Sequence, residues 1–291
     1  MTAAPVALRE AYAARMLRLA GVENPALRRA FAAVAREDFL PPPPWKVLDS
    51  LIGSRRVTPA DLARLYDDVL IVLDGALGLN NGSPSLHALM LHYLDARPGD
   101  RVLHVGAGGG YYTAILAEMV GPSGSVTALE IAPGLAALAR EALRPWPQVE
   151  LVEGDGALWP EAPVQRIYAN AAIADIPARW TDNLAIGGTL VLPLGACPLA
   201  FWARYPAGHG AVLACTRTEA GIGVRHLTGS AFVCAEGPLG GDEALREALA
   251  EAFARGGIER VRSLRRPPPG DASRCWFAAP GWALCFDAAE G

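Results

Sequence analysis

The apolar positions change their period along this chain. From Leu8 to Ala35 they recur at helical spacing, broken near "VENP", which predicts two helices joined by a turn at Glu23 to Pro25. The run Pro41 to Pro44 then stops any helix. Between Trp45 and Asn80 the pattern is mixed, with a helix expected after Thr58, where Pro59 takes the first helical position. After Pro84, "SLHALMLHYLDA" reads as an amphipathic helix closed by "RPGD".

From Arg101 an alternation sets in. The strand "RVLHVG" leads through a glycine loop to the helix "TAILAEMV", and the strand "SVTALEI" to the helix "GLAALAREAL". The strands "VELVEG" and "RIYANAAI" then precede the helix "PARWTDNL" and the strand "GTLVLPL". This order predicts an α/β fold, a doubly wound and mainly parallel sheet with helices on both faces. Later strands are expected at "AVLACTRT", "GVRHLTG" and "AFVCAEG", followed by a helix from Asp242 to about Arg255. In "RCWFAAPGWALCF" two apolar arms flank Pro280-Gly281 as in a hairpin, and Trp276, Phe277, Trp282 and Phe286 there either cover the sheet or line an acceptor pocket. The expected division is an N-terminal helical region over 1–80, an α/β core over 81–236 and a small α+β appendage over 237–291.

The stretch "VLHVGAGGGYYTAILAEMVG" sets Gly106, Gly108, Gly109 and Gly110 between a strand and a helix. Bare backbone N–H groups and the positive end of a helix dipole suit a carboxylate or phosphate there. The dinucleotide fingerprint requires a third glycine where Tyr111 stands, and no Gly-Lys-Ser/Thr follows for a Walker loop. Glu130 ends the second strand of the alternation, where a carboxylate can accept from both hydroxyls of a ribose. Asp155, between Gly154 and Gly156 in "EGDG", is placed to accept from an adenine amino group. Three successive strand ends thus offer groups for an amino acid, a ribose and an adenine, the three parts of S-adenosyl-L-methionine.

Composition narrows the partners. The net charge is −4, and the pairs Arg28-Arg29, Arg55-Arg56 and Arg265-Arg266 are scattered, so neither a nucleic acid nor an anionic membrane is expected. No signal peptide and no apolar run of roughly 20 residues stands out, and a cytoplasmic location is expected. Cys197, Cys215, Cys234, Cys275 and Cys285 include no CxxC pair and are expected to be free, mostly buried thiols. His87, His92, His104, His209 and His226 lack metal-ligand spacing, so no structural metal is expected.

"GDRVLHVGAGGGYYTAILAEMVG" resembles the first motif of class I S-adenosylmethionine-dependent methyltransferases (Rossmann-like), specifically that of the protein-L-isoaspartate O-methyltransferases, Gly-x-Gly-Ser-Gly-Tyr-x-Thr-Ala. Gly106, Gly108, Gly110, Tyr111, Thr113 and Ala114 match; Gly109 replaces the usual serine and His104 the usual acid. "RMLRLAGVENPALRRAFAAVAREDFLPP" resembles the family's opening helices, which end in Val-Pro-Arg-x-x-Phe-Val-Pro, and "EGDG", "GGTLVLPLG" and "TRTEAGIGVRHLTGSAFV" resemble later signatures. The likeness spans roughly residues 10 to 236. It implies S-adenosyl-L-methionine as cofactor, with Gly106, Gly108 and Gly110 at the methionine end, Glu130 at the ribose, Asp155 with Gly156 at the adenine, and Ala107, Tyr111 and Ile131 as further cofactor-binding residues.

The family's acceptor signature, Ile-Ser-x-Pro, aligns on Pro84 as "NGSP", so Gly82 falls at the serine, between Asn81 and Ser83. Either Ser83 replaces that serine, with Asn81 beside it, or Ser83 caps the following helix. An ionised carboxylate can attack a sulfonium methyl without a strong base, whereas "YANAAIADIP" lacks the Pro-Pro of amine methylases. The resemblance therefore implies methyl transfer to a carboxylate of an isoaspartyl protein or peptide, or of a related small molecule. The alternatives are a cofactor-binding adaptor and a diverged methyltransferase without isoaspartyl activity.

Overall fold

The computed structural model describes residues 4–49, 53–196 and 210–289. Cys197 and His209, assigned above as a free thiol and a non-ligand, lie outside the described residues. The chain divides into two compact units, Met1–Gly154 and Asp155–Gly291.

In the first unit α1 (Val6–Leu19) and α2 (Pro25–Ala33) form where the helical period predicts them. Asn24 caps α2 by accepting from the Leu27 amide at 3.0 Å, with Pro25 at the first position. Residues 45–80, expected to be helical in part, instead carry four short strands: β1 (Trp45–Asp49), β2 (Gly53–Val57), β3 (Leu70–Asp74) and β4 (Leu79–Asn80). They pair antiparallel in the order β2-β1-β3-β4, and the segment after Thr58 is a 3-10 helix over Pro59–Leu65. The period-2 signal is weak because each strand is short and β2, "GSRRV", turns only Val57 into the core.

The alternating part follows: α3 (Pro84–Leu94), β5 (Arg101–Val105), α4 (Tyr111–Val120), β6 (Ser125–Glu130), α5 (Pro133–Ala142) and β7 (Val149–Glu153). β5, β6 and β7 pair parallel, with Val105 opposite Leu129 and Glu130 opposite Glu153, so their carboxyl ends finish level. α4 is apolar nearly all round, and all but one of its residues are buried.

The second unit opens on a turn at Gly156–Leu158, then β8 (Val164–Ala169), α6 (Ala178–Asp182) and β9 (Leu184–Gly195), with β8 and β9 parallel. Beyond them come β10 (Gly210–Thr218), β11 (Gly221–Gly229), α7 (Glu243–Arg255), β12 (Ser263–Arg265), β13 (Cys275–Ala279) and β14 (Trp282–Cys285). Every pairing after β9 is antiparallel, in the order β9-β10-β11-β12-β14-β13. "AFVCAEG" is no regular strand: it touches the loop after β8 through a single bridge, Ala172 opposite Cys234. β12, three residues long, lay below the sequence signal.

The expectation of free thiols is corrected in the hairpin. Pro280-Gly281 turns β13 onto β14, and an irregularity between Cys275 and Phe277 sets Cys275 opposite Cys285, where the two form a disulfide. Cys234 is likewise disulfide-bonded, whereas Cys215 is a buried thiol that burial pushes up to about 12. Trp276, Phe277 and Trp282 are core residues, and the Trp282 indole donates to Asp175 Oδ1 at 2.6 Å. Among the described residues no helix is long and apolar enough to cross a membrane.

Arg36 holds the first unit together. Its guanidinium is fully buried in the 3-10 turn Arg36–Phe39. Nη1 donates to the Leu65 carbonyl and to Asp67 O at 3.0 Å, Nη2 to Val69 O at 2.7 Å, and the charge lies 5.7 Å from the Tyr12 ring centroid. Next to it, Glu37 accepts from Ala4 N at 2.6 Å and from the Tyr66 hydroxyl. Replacing Arg36 with Met takes the guanidinium donors from two buried carbonyls and a part-buried one, so urea unfolding should show a loss of about 3 kcal/mol or more. Arg36→Lys should recover little of it, since an ammonium lacks the planar fork.

Candidate functional site

The glycine loop is tied to the end of β6. Gly106 N and Ala107 N both donate to Leu129 O at 2.9 Å, and Gly110 N closes a turn on Ala107 O at 2.9 Å. Gly108 N donates to Glu130 Oε2 at 2.6 Å, and Ala132 N to Glu130 Oε1 at 2.9 Å. Gly106, Gly108 and Gly110 have φ of 80°, 57° and 95°, the left-handed region that only glycine enters at low cost. The loop therefore delivers its backbone, the first turn of α4 and the Glu130 carboxylate to one strand end.

Gly109 is fixed for a different reason. A β-carbon built there would lie 2.3 Å from the Phe39 carbonyl oxygen, so the Arg36–Phe39 turn rests on the loop at the position where the resemblance has serine. The Tyr111 ring points away from the strand end, into an aromatic cluster with Phe31, Phe39 and Tyr112. What Tyr111 offers a ligand is its backbone N–H in the first helical turn, which has no acceptor inside the helix. Ile131, just past Glu130, keeps 42% of its surface exposed, which is unusual for a large apolar side chain in this chain.

Gly154 N donates to Glu130 O at 3.0 Å, so the chain leaves β7 beside Glu130. In the second unit Asp155 Oδ1 accepts from Ala157 N at 2.8 Å, and Gly156 O accepts from the Trp180 indole at 3.0 Å. Gly237 approaches the other carboxylate oxygen: a β-carbon built on it would sit 3.6 Å from Asp155 Oδ2. Nothing in the sequence pointed to Gly237, because the approach joins segments about eighty residues apart.

The turn that precedes α3 is also built from backbone and caps. Asn81 extends the strand pairing, its amide donating to Ile71 O at 3.0 Å and its Oδ1 accepting from Ile71 N at 2.7 Å. Gly82 N donates to Asn80 Oδ1 at 2.9 Å. Ser83 is the N-cap of α3, and its hydroxyl donates to Asp68 Oδ1 at 2.8 Å. Asp68 also accepts from Ser85 N at 3.0 Å and Ser85 Oγ at 2.5 Å. Of the two readings of Ser83, capping is the one this geometry displays. Asp68 escaped the sequence reading because an acid in "YDDVL" carries no local signal for a helix that starts sixteen residues later.

His104 stands inside the unit, its Nδ1 2.9 Å from Thr113 Oγ1, tying β5 to α4. Burial pulls its pKa down to about 3. His87, stacked on Tyr112 at 3.7 Å between ring centroids, is held well below its ordinary range by burial first and then by His104 and Arg36.

The sequence model of the protein-L-isoaspartate(D-aspartate) O-methyltransferase family matches residues 59–201. A protein-L-isoaspartate O-methyltransferase of Anaeromyxobacter sp. (strain Fw109-5) is 38% identical over 183 residues, which cover 61% of this chain and 76% of that protein. Protein-L-isoaspartate O-methyltransferase 1 of Archaeoglobus fulgidus is 40% identical over 122 residues, 40% of this chain; the match spans 56% of that relative's length. A crystal structure from Plasmodium falciparum, described as a beta-aspartate methyltransferase in complex with S-adenosyl-L-homocysteine, superposes with a TM-score of 0.59 at 18% identity, covering 78% of this chain and 98% of that one. The fold is that of class I methyltransferases.

Two measurements check the geometry of this region. Gly109→Ser should lower stability by about 2 kcal/mol in chemical unfolding, because a backbone oxygen cannot rotate out of the way. A histidine buried neutral favours the folded state fully above pH 6.5, and that contribution is lost as pH falls toward 3, because only the unfolded chain takes up the proton. The melting temperature should therefore fall with acid below pH 6.5, as the free energy of unfolding drops by up to about 1.4 kcal/mol per pH unit for each such group. His104→Asn should flatten that slope.

Proposed function

This chain belongs to the protein-L-isoaspartate O-methyltransferase family, and from that premise we propose that it transfers the methyl group of S-adenosyl-L-methionine to a carboxylate of an isoaspartyl protein or peptide. The observation that carries the reading is the glycine loop with Glu130 at its mouth: three left-handed glycines, a helix N-terminus and a nearly buried carboxylate at one strand end. These residues fit the cofactor. Gly106, Ala107, Gly108 and Gly110, with the Tyr111 N–H, would face its amino-acid end. Glu130 would take the ribose hydroxyls, the exposed Ile131 side chain would lie against the purine, and Asp155 with Gly156 would meet the adenine edge.

When bound, the cofactor supplies a methyl group on a sulfonium sulfur. The acceptor carboxylate is ionised at neutral pH, so the protein has no proton to remove. One carbon–sulfur bond breaks as one carbon–oxygen bond forms, and the protein contributes alignment. Asn81 and Ser83 hold the acceptor turn in place, Asn81 through Ile71 and Ser83 through Asp68. We assign cofactor binding to residues 81–236 and treat 237–291 as an appendage whose Gly237 borders Asp155. A cytoplasmic site of action belongs to the same reading.

The test is incubation with methyl-labelled S-adenosyl-L-methionine and an isoaspartyl peptide beside its aspartyl twin, scoring base-labile esters. Label on the isoaspartyl peptide alone is expected; calorimetry that shows no cofactor binding would overturn the proposal. Glu130→Ala should weaken cofactor binding by about 10- to 100-fold, the worth of hydrogen bonds to a charged group.

A further inference from the structure

Gly82 has no room for a side chain. Its φ is +71°, and a β-carbon built on it would lie 2.2 Å from His87 Nε2 and 2.9 Å from His87 Cδ2. The imidazole cannot easily retreat, for it is fully buried and stacked on Tyr112 with the planes 18° apart. The turn in front of it is equally held, by Asn80 on the Gly82 amide, Asn81 on Ile71 and Asp68 on Ser83. A side chain at 82 and an imidazole at 87 are alternatives for one volume.

We propose that His87 is the specificity-determining residue of the acceptor subsite: by filling the volume behind position 82 it obliges the acceptor turn to present bare backbone there. The acceptor is then met at that point by a flat surface instead of a hydroxyl. Selectivity among carboxylates is set by the 82/87 pair, and His87 acts as a positioning residue through Gly82. This rests on the methyltransferase reading.

The experiment is a cycle of Gly82→Ser, His87→Val and the double variant, in the full chain. Three readouts apply: melting temperature, calorimetric cofactor affinity, and kcat/KM on isoaspartyl peptide relative to a panel of other carboxylate peptides. Gly82→Ser should lower the melting temperature more in the His87 background than in the His87→Val background, by at least about 4 °C, corresponding to relief of the clash. The double variant should change the selectivity ratio at least tenfold while cofactor affinity stays within twofold. A His87 that only fills space would move the melting temperature and leave the ratio unchanged, which overturns the proposal, as does a melting-temperature effect of Gly82→Ser independent of residue 87. Wild-type protein that binds cofactor yet esterifies no carboxylate overturns the functional reading itself, and the melting-temperature cycle then still decides whether 82 and 87 exclude one another.

Discussion

A guanidinium sealed from water must find its acceptors within the fold, and the acceptors Arg36 finds organise the first unit. Its three carbonyl partners lie between Leu65 and Val69, a stretch with little regular structure to hold it. Fixing that stretch fixes Asp68, and Asp68 receives both serines at the start of α3. From the other end of the same short turn, Phe39 sets its carbonyl against Gly109. One buried cation therefore stands behind both the turn that precedes α3 and the glycine loop. Breaking such a site by removing one partner is costly because the remaining groups stay buried.

The second unit is organised differently. The loop after β8 is stitched by later chain: Ala172 pairs with Val233 and Ala235, Ala174 and Asp175 donate to Leu239 O, and Trp282 reaches Asp175. Arg266 adds a hydrogen bond to Ile176 O. Residues 237–289 are thus part of the scaffold of a strand-end loop, and Trp276, Phe277 and Trp282 serve as core, with the Trp282 indole as a polar tie.

Where periodicity is strong and local, sequence and structure agree. The run from α3 to β7 was legible because helices and buried strands there are long enough to show their period, and because Glu130 and Asp155 fall at strand ends, where chain order alone places them. The strands at 45–80 were illegible: they are short, partly exposed and, among the described residues, paired only with one another. Asp68 and Gly237 were hidden because their roles arise from approaches distant in sequence. The Cys275–Cys285 pair had a readable cue in two cysteines placed on either side of Pro280-Gly281, which counting cysteines for paired motifs passes over. At Ser83 the sequence left two readings open, and only coordinates reveal the cap and its bond to Asp68.

The contact at Gly109 bears on what a comparison of related sequences could ever reveal. Two side chains that compete for space leave a joint record, since a change in one licenses a change in the other, and such covariation is read as proximity. Against Gly109 lies a main-chain oxygen, present whatever residue occupies position 39. While the turn keeps its path, no substitution at 39 makes room. Position 109 would thus be restricted without a covarying partner, and the contact between the N-terminal turn and the glycine loop would leave no trace in pairwise statistics.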